Sequence, residues 1–173
     1  GPNGAGKTTI FNLITGVYRA SKGSINLSGT ELVGKSPSHI TTLGIARTFQ
    51  NIRLFKDLTV LDNVRIAHYS QASYTPWESL LHVGRYQAEE NRIIEHSMDL
   101  LSVFKLDHLS DELAKNLPYG SQRRLEIARA LATHPQLLLL DEPAAGMNPN
   151  EIMQLMEFIR WIREDFNLTI LLI

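Results

Sequence analysis

GPNGAGKTT, residues 1–9, is the stretch that decides the fold. Gly1 occupies the first position of the spacing G-x-x-x-x-G-K-[ST], and residues 6–8 occupy the last three. Glycines at this spacing let consecutive backbone N–H groups point into a concave nest that binds an anion. A helix that begins directly after the nest adds its partial positive charge at the same place. The stretch therefore predicts a phosphate-binding P-loop, and the alternative interpretation is a glycine-rich turn.

The residues of this loop have separate predicted roles. The ammonium of Lys7 is expected to reach the β and γ phosphates of a nucleotide, and the hydroxyl of Thr8 is expected to bind Mg2+. The backbone of the loop and of the first helical turn supplies the remaining contacts. The predicted ATP-binding set is Asn3, Gly4, Ala5, Gly6, Lys7, Thr8 and Thr9.

An acidic motif follows a short apolar run in LLLLDEP, residues 137–143. Four leucines without polar alternation indicate a strand that is buried on both faces of a parallel sheet. Ligands of open α/β sheets bind at the carboxyl ends of the strands. Asp141 is therefore predicted to hold Mg2+ through waters, and Glu142 to polarise or deprotonate the attacking water. The alternative interpretation is an acidic corner between a strand and a loop.

Two weaker features depend on these motifs. Gln50 ends the predicted strand IARTFQ, where a side-chain amide can bind Mg2+, position water and couple the site to a neighbour, although alone it would be read as a surface residue. Gly120 precedes the predicted helix SQRRLEIARALA, and a helix start at that point would bind a second anion. Because the chain already has a phosphate cradle, we predict that this second site faces the nucleotide of another subunit.

Strand and helix patterns alternate along the chain, which indicates an α/β fold. Helices are predicted in KTTIFNLITG, SPSHITTLG, TVLDNVRIAHY and EIMQLMEFIRWIRE, and strands in GSINLSG, IARTFQ, LLLL and LTILLI, the last of which is read as another buried strand.

A change of pattern defines the predicted domain organisation. From about Ala67 the strand signals vanish and apolar residues recur at helical spacing, which indicates an inserted helical subdomain. Residues 68–87 show poor periodicity and are predicted to be a surface loop with a short helix, the alternative being a docking surface. The predicted parts are 1–66 and 121–173, which form the core, and 67–120, which form the helical subdomain.

Composition excludes several classes of protein. The net charge of −1 over 173 residues provides no basic footprint for nucleic acid. The absence of cysteine excludes disulfides, thiolate metal sites and cysteine nucleophiles. No apolar run approaches the roughly 20 residues that a membrane-spanning helix requires. Any contact with a membrane is therefore expected through a partner.

The motifs together resemble the nucleotide-binding subunit of an ATP-binding cassette (ABC) transporter. The P-loop, Gln50, the helical insert, a glycine-bearing signature and LLLLDEP follow one another in this order along nearly the whole chain. RTFQNIRLF, NLPYGSQRRLEIARAL and DEPAAGMNP more narrowly resemble the subunit of branched-chain amino-acid uptake systems. The resemblance implies a P-loop NTPase fold with a RecA-like mixed-sheet core and an inserted helical subdomain.

The resemblance also implies a function, which is ATP hydrolysis with Mg2+ coupled to transport. Two cassettes would pair head to tail, so that each ATP lies between the P-loop of one and the signature of the other. Their closure would drive transmembrane permease subunits from the cytoplasmic face of the inner membrane, with a periplasmic or extracellular substrate-binding protein delivering the cargo. The partner cassette is expected to be a sister subunit, which makes a heterodimer. The implied residues are Lys7, Gln50 and Glu142 for catalysis, Thr8, Gln50 and Asp141 for Mg2+, and Tyr119, Gly120 and Ser121 for the signature.

Some residues depart from the family pattern. The usual signature L-S-G-G-Q is replaced by LPYGS at residues 117–121, and Asn148 stands where an aspartate is common. The family's upstream strand, its adenine-stacking aromatic residue and its switch histidine have no counterpart at the expected places. The resemblance therefore implies a fragment that is unstable or prone to aggregation in isolation.

Other functions remain compatible with the same fold. They are uptake of urea or short amides, export of a lipid or glycolipid, a soluble mechanical clamp in DNA repair or translation, and a nucleotide-sensing module without turnover. The altered signature is the reason for considering the last of these, and Glu142 is the argument against it.

Overall fold

The computed structural model describes residues 5–69 and 83–173, and the side chains of 83–86 are outside the description. Most of the stretch weighed as a loop or docking surface, 68–87, therefore lies outside the described residues. In chain order the helices are α1 (Lys7–Ile14), α2 (Pro37–Thr42), α3 (Val60–Tyr69), α4 (Val83–Val103), α5 (Tyr119–Leu131) and α6 (Pro149–Asp165), and the strands are β1 (Asn26–Leu27), β2 (Thr30–Glu31), β3 (Ile45–Arg47), β4 (Leu137–Leu140) and β5 (Thr169–Leu172).

The chain divides into two compact units. One consists of Gly1–Asn51 with His134–Ile173, and the other of Ile52–Thr133. The predicted division has its boundaries elsewhere and stays a prediction, because compactness alone does not define a functional domain.

A parallel sheet forms the centre of the first unit. Its strand order is β3-β4-β5, and Leu138 of β4 pairs with Ala46 on one side and Ile170 on the other. Three leucines of β4, Leu138–Leu140, are fully buried. The predicted α/β fold with a buried central strand is confirmed. Asp141 and Glu142 consequently leave the sheet at its carboxyl edge.

The last strand differs from the prediction. LTILLI was expected to be buried, but Leu171 and Leu172 of β5 are 41% and 40% exposed. The reason is that β5 lies at the edge of the described sheet, where β4 covers one side of it. Such an apolar edge strand has backbone groups that can pair with another strand.

A small apolar core anchors the helix that follows the P-loop. Phe11 of α1 is 1% exposed and clusters with Leu32, Ile40, Ile45 and Leu139. Burying a phenylalanine side chain contributes about 1.5–3 kcal/mol. Phe11, together with the partly buried Ile14, therefore packs α1, which carries Lys7 and Thr8, against β3 and β4.

The second unit is helical. Val60, Val64 and Ala67 form the buried face of α3, and the predicted apolar face of α5 is buried as well. The longest helix, α4, has 21 residues. Neither α4 nor any other helix in the described ranges is apolar enough along its length to cross a membrane.

Asn148 has a structural role at the start of α6. Its side chain accepts the N–H of Glu151, and the Glu151 carboxylate accepts the N–H of Asn148, which completes a capping box. Asn148→Ala is expected to lower the free energy of unfolding by about 1 kcal/mol. Asn148→Asp should change it little, because aspartate caps equally well. Urea unfolding of the full-length protein, followed by circular dichroism, measures both.

The control for this change is Asn150→Ala, which alters an exposed asparagine in the same helical turn. It is expected to stay within about 0.5 kcal/mol of wild type. Equal stability of the Asn148→Ala and Asn150→Ala proteins would show that the capping box contributes nothing measurable.

Candidate functional site

The predicted phosphate-binding loop runs directly into α1. Gly6 is the N-cap residue with a φ of +78°, which lies in the left-handed region that glycine adopts without strain. Its carbonyl accepts the N–H of Ile10 at 3.0 Å, so helical hydrogen bonding begins there. The first N–H groups of a helix have no intrahelical acceptor and are therefore donors for an anion.

The other described residues of the loop are exposed or partly exposed. Lys7 is partly exposed, and Ala5, Thr8 and Thr9 are exposed. This arrangement leaves the helix start open to a ligand. Gly1, Asn3 and Gly4 of the predicted loop lie outside the described residues.

The two acidic residues differ in their surroundings. Asp141 is 4% exposed, whereas Glu142 is partly exposed. Glu142 has a φ of +46°, in the left-handed region, and its N–H donates to the carbonyl of Ile173 at 2.9 Å. A non-glycine residue in that region is strained by about 1–3 kcal/mol, and such strain is concentrated at functional sites. The turn therefore presents the carboxylate of Glu142 at the end of β4 at an energetic cost.

Gln50 and Glu142 meet at this edge. The side-chain amide Nε2 of Gln50 donates to Oε2 of Glu142 at 3.0 Å. The two residues lie far apart in sequence, but β3 and β4 are parallel neighbours, so the segments after them leave the sheet side by side. The structure thus brings together two of the three side chains predicted to act in catalysis.

Arg47 is a part of the site for which the sequence predicted no role. Its Nη2 lies 2.8 Å from Oδ2 of Asp141, and both side chains are 6% exposed. Its Nη1 donates to Oδ1 of Asn12 on α1 at 2.7 Å. A signal was present in the sequence, because an arginine in an otherwise apolar strand requires a buried partner.

The residues predicted to hold Mg2+ fit the ion chemically. The contact with Arg47 uses one carboxylate oxygen of Asp141, and the predicted partners, a hydroxyl of Thr8 and an amide of Gln50, are also oxygen donors. Mg2+ prefers hard oxygen ligands and is held by one or two carboxylates together with phosphates and water. Residues 5–69 and 83–173 contain no cluster of three or more His, Cys, Asp or Glu side chains suited to a metal.

The predicted signature lies at the start of α5, in the second unit. Tyr119 is 47% exposed, whereas Ser121 is buried and its N–H donates to the carbonyl of Pro118 at 2.9 Å. A Cβ added at Gly120 would meet no described atom within 4 Å. Packing against the described part of the chain therefore does not explain why this position is a glycine.

Comparison with known proteins identifies relatives of this chain. Residues 1–145 match a protein-family model described as ABC transporter. The chain is 42% identical over all 173 residues to the Escherichia coli K12 high-affinity branched-chain amino acid transport ATP-binding protein LivG, and it spans 68% of that protein. BraF of Pseudomonas aeruginosa, with the same description, is equally similar, with the same coverage.

A solved structure supports the same relationship. The ADP conformation of MJ1267, an ATP-binding cassette of an ABC transporter, superposes with a TM-score of 0.81 at 32% sequence identity. The comparison covers 99% of this chain and 66% of MJ1267. The two relatives thus match this chain in sequence over its whole length, and MJ1267 matches it in fold over almost all of it.

Proposed function

Because this chain belongs to the ABC transporter family, we propose that it is an ATP-hydrolysing subunit that powers import of branched-chain amino acids. The observation that carries the proposal is the hydrogen bond between Gln50 and Glu142 at the carboxyl edge of the sheet. It joins the water-positioning and proton-accepting groups that ATP hydrolysis requires. Asp141, whose carboxylate is buried, directly precedes Glu142 in the sequence.

In this proposal each residue of the site has its own role in hydrolysis. The start of α1 and Lys7 bind the phosphates of ATP, and Thr8 and Asp141 hold Mg2+. When bound, Mg2+ neutralises charge on the β and γ phosphates. Glu142 orients a water and accepts its proton while the water oxygen bonds to the γ-phosphorus and the bond to ADP breaks. Gln50 releases Glu142 for this step and positions the water.

A second cassette completes the site in this proposal. Gly120 at the exposed start of α5 has no packing role among the described residues, whereas a glycine there lets a phosphate from another subunit approach the backbone. Ser121 is buried, whereas Tyr119 and Gly120, like the N-cap residue Pro118, are exposed at this helix start. We propose a heterodimer with a sister subunit.

The descriptions of the relatives support a proposal for the cargo. LivG and BraF are described as branched-chain amino acid transport ATP-binding proteins. The proposed partners are transmembrane permease subunits on the cytoplasmic side of the inner membrane, with a periplasmic or extracellular binding protein that delivers leucine, isoleucine or valine.

A transport assay tests this proposal. The full-length protein is reconstituted with its permease subunits and sister cassette in liposomes, and hydrolysis of ATP and uptake of labelled leucine are measured together with urea and acetamide as competing cargoes. We expect Mg2+-dependent hydrolysis that the permease and binding protein stimulate, with leucine transported. Urea or amide transport would contradict the cargo, and ATP binding without turnover would contradict the enzyme.

Lys7→Ala is expected to weaken ATP binding itself. A hydrogen bond to a charged group is worth about 1.5–3 kcal/mol, which corresponds to a roughly 10- to 100-fold increase in the Kd. Titration of the full-length protein with a fluorescent ATP analogue measures the change. Lys22→Ala, at an exposed lysine outside the site, is the control. Equal affinities of the two variants would remove Lys7 from phosphate binding.

A further inference from the structure

Arg47 connects the predicted magnesium ligand to the helix that follows the P-loop. One end of its guanidinium, Nη2, pairs with Oδ2 of Asp141 at 2.8 Å. The other, Nη1, donates to Oδ1 of Asn12 at 2.7 Å and to Oγ1 of Thr15 at 3.4 Å. All four residues belong to the first unit. A single side chain therefore bridges α1 and the end of β4.

The guanidinium is held in place by aromatic rings. Its central carbon lies 5.4 Å from the ring centroid of Phe11 and 4.8 Å from that of Phe49. Arginine stacks on aromatic faces, and its guanidinium N–H donors have fixed directions. The contacts with the two rings therefore orient the Nη1 and Nη2 donors. Phe11 is itself part of the apolar core. The bridge is consequently built on packed residues rather than on a surface loop.

Charge explains why a cation is needed at this position. The side chain of Asp141 is 6% exposed, and a buried carboxylate without a compensating charge is costly. Arg47 supplies the compensating charge when no metal is bound. Its contact uses Oδ2, which leaves the carboxylate its other oxygen as an acceptor.

The position of Asn12 links the bridge to Thr8. The two residues are four apart on α1, so their side chains lie on the same face of the helix. Arg47 thus ties the helix face that carries Thr8 to the carboxylate of Asp141. Thr8 and Asp141 are two of the three residues predicted to hold Mg2+, and the third, Gln50, follows β3.

We propose that Arg47 is a positioning residue that fixes the carboxylate of Asp141 against α1, so that Thr8 and Asp141 act as one magnesium-binding unit. The inference rests on the proposed function, because it assumes that Mg2+ binds with ATP at this site. Arg47 does not contact the nucleotide in this scheme. This role needs the planar guanidinium, which donates hydrogen bonds in two fixed directions, as well as the positive charge. A lysine ammonium has the charge but no fixed pair of donor directions.

Nucleotide affinity measured with and without Mg2+ tests the proposal. The full-length protein is titrated with a fluorescent ATP analogue in EDTA and in Mg2+, and the ratio of the two Kd values gives the enhancement by Mg2+. Residues that orient a metal ligand typically contribute 10- to 100-fold to metal affinity or activity. We expect Arg47→Lys and Arg47→Gln to lose about 10- to 100-fold of this enhancement while the Kd in EDTA stays close to wild type.

Two further variants identify the mechanism. Asn12→Ala removes the link to α1 and keeps the pair with Asp141, so it is expected to lose part of the enhancement. In an Asp141→Asn background, Arg47→Gln is expected to cause no additional loss, because residues that act through one another are not additive. Arg163→Gln, which alters an exposed arginine on α6 whose side chain is 55% exposed, is the control that keeps the enhancement.

The outcomes separate this inference from the proposed function. Wild-type enhancement in Arg47→Lys would overturn the positioning role, because charge alone would then suffice. If both Arg47 variants fail to fold, Asn12→Ala decides: a reduced enhancement supports the role and a wild-type enhancement overturns it. An unmodified protein without any Mg2+-dependent affinity would instead contradict the proposed function.

Discussion

Glu142→Gln is expected to abolish ATP turnover while ATP binding is retained. The change preserves the size of the side chain and an oxygen that can accept from the Gln50 amide, but it removes the group that takes the proton from water. Loss of a general base typically lowers a rate about 10²- to 10⁴-fold. Binding depends on the start of α1 and on Lys7, which the change does not touch. Phosphate release and the Kd for an ATP analogue are measured on the full-length protein with its partners.

The same variant is expected to trap a dimer. If closure requires ATP and reopening requires hydrolysis, Glu142→Gln with Mg-ATP should elute as a pair of cassettes, and the wild type should not. Glu157→Gln, at an exposed glutamate on α6, provides a matched change in charge outside the site. A wild-type rate of ATP hydrolysis in the Glu142→Gln protein would show that Glu142 is not the group that accepts the proton from water.

A different result would favour the nucleotide-sensing alternative. Under that alternative, the unmodified full-length protein binds ATP and does not hydrolyse it, with or without its partners. The altered signature would then be the first feature to examine, since Pro118 stands where the family pattern has a serine hydroxyl. Pro118→Ser would test whether that hydroxyl restores turnover.

Local sequence signals predicted most of the helices correctly. The predicted helix SPSHITTLG starts at Ser36, and the Ser36 hydroxyl accepts the N–H of His39 at 3.3 Å as the N-cap of α2. The predicted helix TVLDNVRIAHY starts at Thr59, and Thr59 Oγ1 accepts the N–H of Asp62 at 3.0 Å at the start of α3. Such signals succeed because a cap is a contact between residues a few positions apart, so nothing distant is needed to form it.

The strand β2 and the exposure of β5 were not predicted from local patterns. The predicted strand around Ile25 and Leu27 pairs with β2 through the turn at Ser28-Gly29, and β2 was missed because its two residues are polar and exposed. Glu31 of β2 accepts the N–H groups of Val33 and Ile25, which lowers the pKa of its carboxyl. The apolar composition of β5 correctly predicted a strand. The burial of its side chains was not predictable from composition, because it depends on which elements pack against the strand.

In the site, the sequence predicted candidate residues but not which of them are in contact. Motif spacing identified Lys7, Gln50, Asp141 and Glu142 as candidates, since each chemical role requires a particular side chain at a particular end of an element. The bond from Gln50 to Glu142 and the bridge through Arg47 join segments about 90 residues apart, 92 in the first case. These contacts are set by the parallel pairing of β3 and β4, which no local pattern encodes.

A buried ion pair in the signature helix leads to the largest expected effect on stability. Nη1 of Arg123 lies 2.5 Å from Oε2 of Glu126, and the two side chains are 0% and 2% exposed. Oε1 of the same carboxylate accepts the N–H of Arg53 at 3.2 Å. Removal of one partner of a buried pair typically costs about 3–5 kcal/mol, because it leaves the other charge in the interior.

Arg123→Met is therefore expected to lower the free energy of unfolding by an amount near the lower end of that range, about 3 kcal/mol. The lower end applies because Arg129, on the same helix, is also attracted to Glu126: burial lowers the pKa of the Arg129 guanidinium, and the carboxylate partly offsets this. Urea unfolding measures the loss. Arg163→Met, which breaks an exposed pair with Glu164, is the control and should cost less than about 1 kcal/mol.

The double variant Arg123→Met with Glu126→Leu separates the cost of an uncompensated charge from the value of the pair. Replacement of both partners by apolar residues of similar volume is often neutral or stabilising, so the double variant should recover part of the stability that Arg123→Met loses. Glu126→Leu also removes the attraction to the Arg129 guanidinium and the acceptor for the Arg53 N–H, and these two contacts carry the energy if the double variant does not recover. Either result is relevant to function, because α5 begins at the residues proposed to contact the nucleotide of the partner cassette. If the start of α5 is destabilised, ATP-dependent pairing of the cassettes is expected to weaken.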